Sequence, residues 1–169
     1  MKYKLFIIDV DGTMTDGGIY YGENREEWKK FCTKDAAGFF AVHESGAKTM
    51  VLTGRKCQAT QRRMTELKAD YVFQGITDKE EFVRQFLADR QIGWEQAVYI
   101  GDDLNDLLLM EKCGYAGCPA DSCKEVKAAA GYVSSVKGGH GAVRDIVEHI
   151  FEEEGIWEEI VRKIYMCGR

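Results

Sequence analysis

The chain has 169 residues, of which 45% are hydrophobic and 30% are charged, and its formal net charge is −5. This length can supply one well-formed hydrophobic core, and the composition excludes disordered and fibrous classes of protein. The acidic balance argues against a nucleic-acid partner, and no apolar run has the length that a membrane span needs. Because the N-terminal segment lacks the pattern of a secretory signal, a cytoplasmic location is expected.

Short apolar runs that end in polar residues predict the buried strands of a parallel sheet. They occur at 5–8, 49–52, 71–73, 97–100 and, more weakly, 132–133. Stretches with apolar residues at helical spacing lie between these runs, at 36–44, 58–68, 79–90, 104–112 and 143–151. This alternation predicts an α/β fold, a Rossmann-like three-layer sandwich with a mainly parallel sheet, in one domain over residues 1–169.

One segment interrupts the alternation directly after the first strand. Residues 17–21 and 27–31 have the pattern of two short strands around a turn at 22–24. They predict a small β-hairpin insertion, a flap over about residues 13–31. At the other end of the chain, residues 155–169 predict a helix whose apolar side docks on its own subunit or on a neighbour.

Polar side chains cluster where three of the predicted strands end. Asp9 and Asp11 follow the first strand, Thr53 follows the second, and Asp102 follows the strand at 97–100. Because loops at the carboxyl ends of parallel strands meet in one crevice, we expect these residues to converge. Gathered carboxylates repel one another unless a cation lies among them, and a set of oxygen ligands favours Mg²⁺. The predicted magnesium ligands are therefore Asp9, Asp11 and Asp102.

The spacing of the first two acids suggests a division of labour. Asp9 and Asp11 stand two residues apart, so both can face one reacting group. Asp9 is the predicted nucleophile that forms an aspartyl-phosphate, and Asp11 is the predicted acid and base for the leaving alcohol and the attacking water. Thr53 offers a hydroxyl and an amide to a phosphate oxygen, and Lys79 can neutralise the transferring group. Taken alone, the motif at 9–12 is about as typical of a surface turn, and Thr53 is more typical of a turn at the end of a strand. A lone lysine at the start of a helix is usually solvated.

Two further acids follow Asp102 in the same loop. Asp103 and Asp106 are predicted to orient the metal or Lys79 without binding the metal directly. Acidic residues are also favoured at the start of a helix, and both roles can hold together.

The ordered motifs of the haloacid dehalogenase phosphatase superfamily resemble segments of this chain in type and spacing. They correspond to residues 9–13, 52–54, 79 and 101–106. The short hairpin, without a large cap domain, resembles the capless branch of that superfamily. Within this branch the 3-deoxy-D-manno-octulosonate 8-phosphate phosphatases and their near relatives resemble further segments, at 15–18, 27–31, 53–56, 73–75 and 138–144.

The resemblance implies a Mg²⁺-dependent phosphatase that hydrolyses a sugar-acid phosphate monoester, with 3-deoxy-D-manno-octulosonate 8-phosphate preferred, and a role in lipopolysaccharide biosynthesis. It implies a homotetramer in which the hairpins pack together and neighbouring subunits close each site. It also implies substrate contacts by position, at Cys32, Thr33, Lys34, Asp35, Ala36, Phe40, Arg55, Arg63 and Lys79. A guanidinium at Arg55 or Arg63 can hold a sugar-acid carboxylate through two hydrogen bonds.

Several alternatives stay open. Residues 33–40 resemble a sister branch that acts on nine-carbon ulosonate 9-phosphates of the sialic acid or deaminoneuraminate type, whereas Arg55 favours the eight-carbon substrate. Cys32 and Phe40 stand where the octulosonate enzymes usually have Asn and often Arg. A signalling receiver also gathers acids, Thr and Lys around Mg²⁺, but it has no use for Asp11 as an acid–base or for the hairpin. A non-catalytic phosphatase-like assembly domain is the remaining alternative.

Overall fold

The structure is a computed structural model that describes residues 2–24 and 26–166. Its strands are β1 (Leu5–Ile8), β2 (Tyr20–Tyr21), β3 (Glu27–Trp28), β4 (Lys48–Thr53), β5 (Tyr71–Gln74), β6 (Ala97–Ile100), β7 (Tyr115–Cys118) and β8 (Tyr132–Val133). Six of them form one sheet in the order β5-β4-β1-β6-β7-β8, and all its pairings are parallel. The predicted parallel sheet is confirmed.

Helices cover both faces of this sheet. They are α1 (Asp35–Glu44), α2 (Gln58–Glu66), α3 (Lys79–Asp89), α4 (Leu107–Lys112), α5 (Lys124–Ala129), α6 (Ala142–Glu153) and α7 (Trp157–Val161). Alternate residues of β1 enter two separate apolar clusters, because successive side chains of a strand point to opposite faces. Phe6 packs with Phe39 and Phe151 on the α1–α6 face, and Ile7 packs with Val83 on the α3 face. The result is the predicted three-layer sandwich.

Some elements differ from the predicted pattern. The pattern does not predict β7, because its Gly117 and its other small residues give no apolar run, and it does not predict α5. A Cβ at Gly117 would overlap Ile146, so the small residue lets α6 approach the sheet. The predicted terminal helix is α7 followed by a π-helical turn at Arg162–Met166, and its residues 167–169 lie outside the described part of the chain. Over residues 2–24 and 26–166, the helices lack the combination of length and apolar character needed to cross a bilayer.

The hairpin insertion after β1 is confirmed, with shorter strands than predicted. β2 and β3 pair antiparallel with Tyr20 opposite Trp28, and a bridge between Thr15 and Phe31 closes the base. The hairpin exposes large apolar side chains at Ile19, Tyr20, Tyr21 and Trp28. Since its pairing is short, the hairpin gains support from polar contacts with the rest of the molecule.

The strand order places one crevice at the centre of the sheet. The chain leaves β1 for β4 on one side and later returns to β6 on the other side. This reversal is the position at which open parallel sheets bind their ligands, beyond the carboxyl ends of the strands. The loops after β1, β4 and β6 begin at Asp9, Gly54 and Gly101, all at this edge.

Candidate active site

The loop after β1 turns sharply and brings its polar groups to the crevice. The Asp9 amide donates to the carbonyl of Ile100 at 2.9 Å, which ties the start of the loop to β6. Met14 and Thr15 both donate from their amides to the carbonyl of Val10 and close the turn. Gly12 has φ +92°, a conformation that side chains disfavour, so a glycine is needed in this turn.

Lys79 lies at the centre of the buried polar cluster. Its side chain is only 4% exposed, and its Nζ donates to Asp9 Oδ1 at 2.6 Å and to Asp106 Oδ1 at 2.7 Å. It also lies 3.2 Å from the hydroxyl of Tyr99, which in turn donates to Asp106 Oδ1 at 2.6 Å. Burial alone lowers the pKa of Lys79, but the two carboxylates outweigh it and raise the pKa above its usual value. The ammonium therefore stays charged beside Asp9.

Asp106 contacts Lys79 through one carboxylate oxygen and holds the loop after β6 through the other. Its Oδ2 accepts from the amides of Asp102 at 2.9 Å and Asp103 at 3.3 Å. Asp103 itself is exposed, and its carboxylate accepts from the amide of Leu104 at 2.8 Å. The predicted contact with Lys79 is therefore made by Asp106, whereas Asp103 forms the start of the helical turn and makes no hydrogen bond to Lys79 among the described residues.

The carboxylates of Asp9, Asp102 and Asp106 can bring ligand atoms within 4.8 Å of one another. Burial raises the pKa of Asp9 to about 7 despite the Lys79 ammonium, and burial raises the pKa of Asp102 to about 7 as well. Asp102 accepts a hydrogen bond from the Thr13 hydroxyl at 2.8 Å, and it makes no ion pair with a residue of the described part of the chain. When all three acids are ionised, the one ammonium leaves two negative charges uncompensated, so the donor set fits a divalent cation with oxygen ligands.

This cluster differs in one member from the predicted ligands. Asp11 is absent from it, and Asp106 takes part in its place. The Asp106 oxygens are already used by Lys79, Tyr99 and two amides, so Asp9 and Asp102 are the carboxylates better placed to bind the ion. The side chain of Asp11 instead turns toward the hairpin.

Asp11 belongs to a second network of polar side chains, which runs from the crevice into the hairpin. The Thr53 hydroxyl donates to Asp11 Oδ2 at 3.4 Å, and the Lys29 ammonium pairs with Asp11 Oδ1. Lys29 also pairs with Glu27 Oε1 at 3.0 Å, and Arg55 contacts both oxygens of Glu27, at 3.2 and 2.7 Å. Hydrogen bonds from Arg55 lower the pKa of Glu27 to about 2. These side chains thus form a continuous series of polar contacts from Thr53 to Arg55 by way of the hairpin.

Lys79 lies in the Asp9 cluster, and the other predicted substrate contacts form two separate groups. Arg55 lies with Glu27 on the hairpin side, next to Thr53, whose hydroxyl accepts from the Arg55 amide at 3.3 Å. Arg63 donates to the carbonyl of Cys32 at 3.2 Å and lies near Asp35. Oδ1 of Asp35 accepts a hydrogen bond from the backbone amide of Arg144. The remaining predicted contacts lie on or beside this second segment, at Thr33, Lys34, Ala36 and Phe40. Among the described residues, no hydrogen bond joins the Arg63 group to Asp9 or Lys79.

Several residues of the site were not predicted from the sequence. Tyr99 lies inside an apolar strand run, where a tyrosine gives no signal of its own, and Thr13 is an ordinary turn residue until Asp102 approaches it. Glu27 and Lys29 belong to the segment 27–31, which resembles the octulosonate phosphatases but for which the sequence predicts no role of single residues. Their contacts depend on how the hairpin folds back over the crevice.

The comparisons with known proteins agree with this geometry. Residues 72–146 match the family of haloacid dehalogenase-like hydrolases. A 3-deoxy-D-manno-octulosonate 8-phosphate phosphatase from Yersinia pestis is 37% identical over 147 residues, which cover 87% of this chain and 79% of the relative. The enzyme of that name from Escherichia coli (strain K12) is 35% identical over 156 residues, with coverage of 92% and 83%.

Solved structures of similar proteins have the same fold. The 3-deoxy-D-manno-octulosonate 8-phosphate phosphatase from Moraxella catarrhalis, crystallised with a magnesium ion, a phosphate ion and KDO, superposes with a TM-score of 0.91 at 31% identity and covers 96% of this chain and 93% of its own. The cobalt-bound form of the Haemophilus influenzae enzyme gives a TM-score of 0.86 at 33% identity, with coverage of 92% and 91%. This chain belongs to the haloacid dehalogenase-like hydrolases, in the family of 3-deoxy-D-manno-octulosonate 8-phosphate phosphatases.

Proposed function

We propose that this protein is a Mg²⁺-dependent phosphatase that hydrolyses 3-deoxy-D-manno-octulosonate 8-phosphate through a phosphorylated Asp9. The observation that carries the proposal is the cluster in which Lys79 holds Asp9 while Asp102 lies alongside and makes no ion pair within residues 2–24 and 26–166. An ion pair that served only the fold would not need the additional carboxylate of Asp102, since uncompensated buried charge destabilises a fold. A bound Mg²⁺ would compensate that charge, as the proposed function requires.

Lys79 prepares Asp9 for attack on phosphorus. Its ammonium occupies Oδ1 of Asp9, so the other carboxylate oxygen is the one that is free to attack. The same ammonium lies close enough to offset the charge of the incoming phosphoryl group. Asp106 and Tyr99 fix Lys79 in turn, which helps to keep the nucleophile oriented.

Asp11 supplies and removes the proton. It lies two residues after the nucleophile, and Thr53 contacts its Oδ2. In the first step Asp11 protonates the sugar oxygen as the phosphorus–oxygen bond breaks, and in the second step it takes a proton from the water that attacks the aspartyl-phosphate. Asp9 and Asp102 would hold Mg²⁺, which when bound supplies Lewis-acid stabilisation of the phosphoryl oxygens.

The eight-carbon substrate is favoured over the nine-carbon alternative. The similar enzymes from Yersinia pestis and Escherichia coli are named for 3-deoxy-D-manno-octulosonate 8-phosphate. The similar structure from Moraxella catarrhalis was crystallised with KDO. Arg55 supports this choice, because the enzymes of the nine-carbon branch tend to carry Glu where this chain has Arg55. The receiver alternative loses support because the chain belongs to a family of hydrolases.

Neighbouring subunits are proposed to complete each site within a cytoplasmic homotetramer, in a pathway that makes lipopolysaccharide. Two observations support the assembly. The hairpin exposes Tyr20, Tyr21 and Trp28, and the Arg63 group makes no hydrogen bond to the Asp9 cluster among the described residues. A second subunit that covers the hairpins would shield these apolar surfaces and close the crevice.

Steady-state kinetics on the eight- and nine-carbon ulosonate phosphates, side by side with saturating Mg²⁺, tests the proposal. We expect kcat/KM to be at least about tenfold higher for the eight-carbon ester, and Asp11→Asn to lower kcat by about 10²–10⁴-fold. Asp9→Asn is the blank, because it removes the nucleophile. Equal, poor rates on both esters would contradict the substrate assignment, and near-normal turnover by Asp11→Asn would contradict the acid–base role.

A further inference from the structure

Lys29 is a buried lysine in the hairpin that the mechanism so far does not use. Its side chain is 1% exposed, although the neighbouring strand β3 lies at the surface. Its ammonium contacts two carboxylates, Asp11 Oδ1 and Glu27 Oε1. Burying an ammonium is unfavourable unless anions compensate it, so both contacts are needed where this lysine lies.

The two oxygens of Asp11 are thereby made unequal. Oδ1 is occupied by Lys29, whereas Oδ2 lies beside the Thr53 hydroxyl at the end of β4. An acid–base group must present one oxygen to the reacting oxygen in a fixed direction, because an error of about 1 Å can lower a rate about 10²-fold. The loop after β1 does not supply this constraint, since its turn is closed by main-chain bonds to Val10.

Glu27 anchors the lysine from the other side. It accepts from Lys29 at 3.0 Å and from two nitrogens of Arg55, so it stays ionised and fixed. Glu27 and Lys29 flank Trp28 in the hairpin, and successive strand residues alternate between faces. Trp28 is turned to solvent while its two neighbours reach the crevice.

We propose that Lys29 is a positioning residue for Asp11: it holds Oδ1 so that Oδ2 is the oxygen that exchanges the proton, and Glu27 connects this contact to Arg55. The inference rests on the proposed phosphatase function. By this proposal the hairpin acts within its own subunit. When it folds over the crevice, Lys29 fixes the orientation of the Asp11 carboxyl.

A comparison of leaving groups tests this role. p-Nitrophenyl phosphate releases a stable phenolate and needs little protonation, whereas an alkyl ester such as the sugar-acid phosphate needs a full proton transfer. In Lys29→Met we expect kcat/KM to fall about 10²-fold for the alkyl ester and less than about fivefold for p-nitrophenyl phosphate. On the alkyl ester the loss should lie in kcat, with KM nearly unchanged.

Lys30→Met is the matched control, because Lys30 is the next residue, is 53% exposed and pairs only with Asp16 at 3.5 Å among carboxylates of the described chain. It should keep the wild-type ratio between the two esters. Lys29→Arg keeps the charge that the fold needs and should restore the ratio to within about tenfold of wild type. If Lys29→Met leaves the ratio of kcat/KM for the two esters unchanged, whether or not both values fall, the proposal is overturned.

Glycerol 3-phosphate serves as a second alkyl ester, so the test does not depend on the identity of the sugar. If the wild-type enzyme leaves the eight-carbon ester intact but hydrolyses glycerol 3-phosphate, the substrate assignment fails while the ratio of this ester to p-nitrophenyl phosphate still decides the role of Lys29. A selective loss with glycerol 3-phosphate supports the positioning role, and a parallel loss with p-nitrophenyl phosphate refutes it.

Discussion

At the scale of single residues, close approach of backbone and carboxylate determines the geometry of the site. Gly12 and Asp102 come from loops after different strands, yet a Cβ at Gly12 would overlap the Asp102 carboxylate. The neighbouring Thr13 hydroxyl donates to that carboxylate at 2.8 Å. The turn after β1 thus presses directly on a proposed magnesium ligand, and this contact requires a residue without a side chain.

Gly12→Ala should therefore weaken magnesium binding as well as strain the turn. The added methyl group must displace the Asp102 carboxylate, and φ +92° disfavours any side chain. We expect the Mg²⁺ concentration for half-maximal activity to rise at least about tenfold, in line with the sensitivity of metal sites to displaced ligands. Calorimetric titration with Mg²⁺ measures the same change without substrate.

Gly46→Ala separates strain from displacement. Gly46 has φ +84°, but a Cβ there would meet no atom of the described residues within 4 Å. It should lose stability by about 1 kcal/mol, as a left-handed alanine does, and bind Mg²⁺ like the wild type. Equal Mg²⁺ affinity in both alanine variants would show that the Gly12 contact does not shape the metal site.

The residues that could be predicted from the sequence are those whose position follows from a strand end. Asp9, Thr53 and Asp102 each follow an apolar run, and a parallel sheet brings such positions together. Tyr99 and Lys29 could not be predicted in this way, because their contacts depend on packing between segments far apart in the chain. The strand β7 was missed for a related reason, since its small residues are selected by the approach of α6.

At the scale of elements, the hairpin combines two surfaces with opposite character. One face carries Glu27 and Lys29 into the crevice, and the other exposes Tyr20 opposite Trp28. A two-stranded ribbon of this length has little stability alone. Packing against further hairpins would cover the aromatic face and stabilise the arrangement of the polar face.

Trp28→Asp should accordingly reduce the assembly. Trp28 is 60% exposed, so a charge there is tolerated by the isolated subunit but is unfavourable inside an apolar contact between subunits. We expect light scattering to show a tetramer for the wild type and smaller species for the variant. Val133→Asp, an exposed change on the edge strand β8, should keep the wild-type mass. A variant at Trp28 with wild-type mass would contradict assembly through the hairpins.

At the scale of the whole molecule, Asp35 links pH to the stability of the fold. Its Oδ1 accepts from the amide of Arg144 at 3.2 Å and joins the starts of α1 and α6, whereas its Oδ2 is buried without a hydrogen-bond partner among residues 2–24 and 26–166. Burial raises the pKa of Asp35 from 3.8 to about 6. The folded state therefore binds a proton more tightly than the unfolded state does, and this contribution to stability is present below pH 3.8 and is lost as the pH rises through about 6.

Asp35→Asn should remove this dependence, because the amide cannot ionise while its oxygen can still accept from Arg144. The unfolding free energy of the wild type, measured with urea, should fall relative to Asp35→Asn by up to roughly 3 kcal/mol between about pH 4 and 7. Glu81→Gln is the control: hydrogen bonds from Arg84 and Gln85 lower the pKa of Glu81 to about 2, so its effect changes only below about pH 5. The Glu81 difference should thus stay flat between about pH 5 and 7, and a flat Asp35 difference would mean that the buried carboxyl is already ionised or already paired in the folded protein.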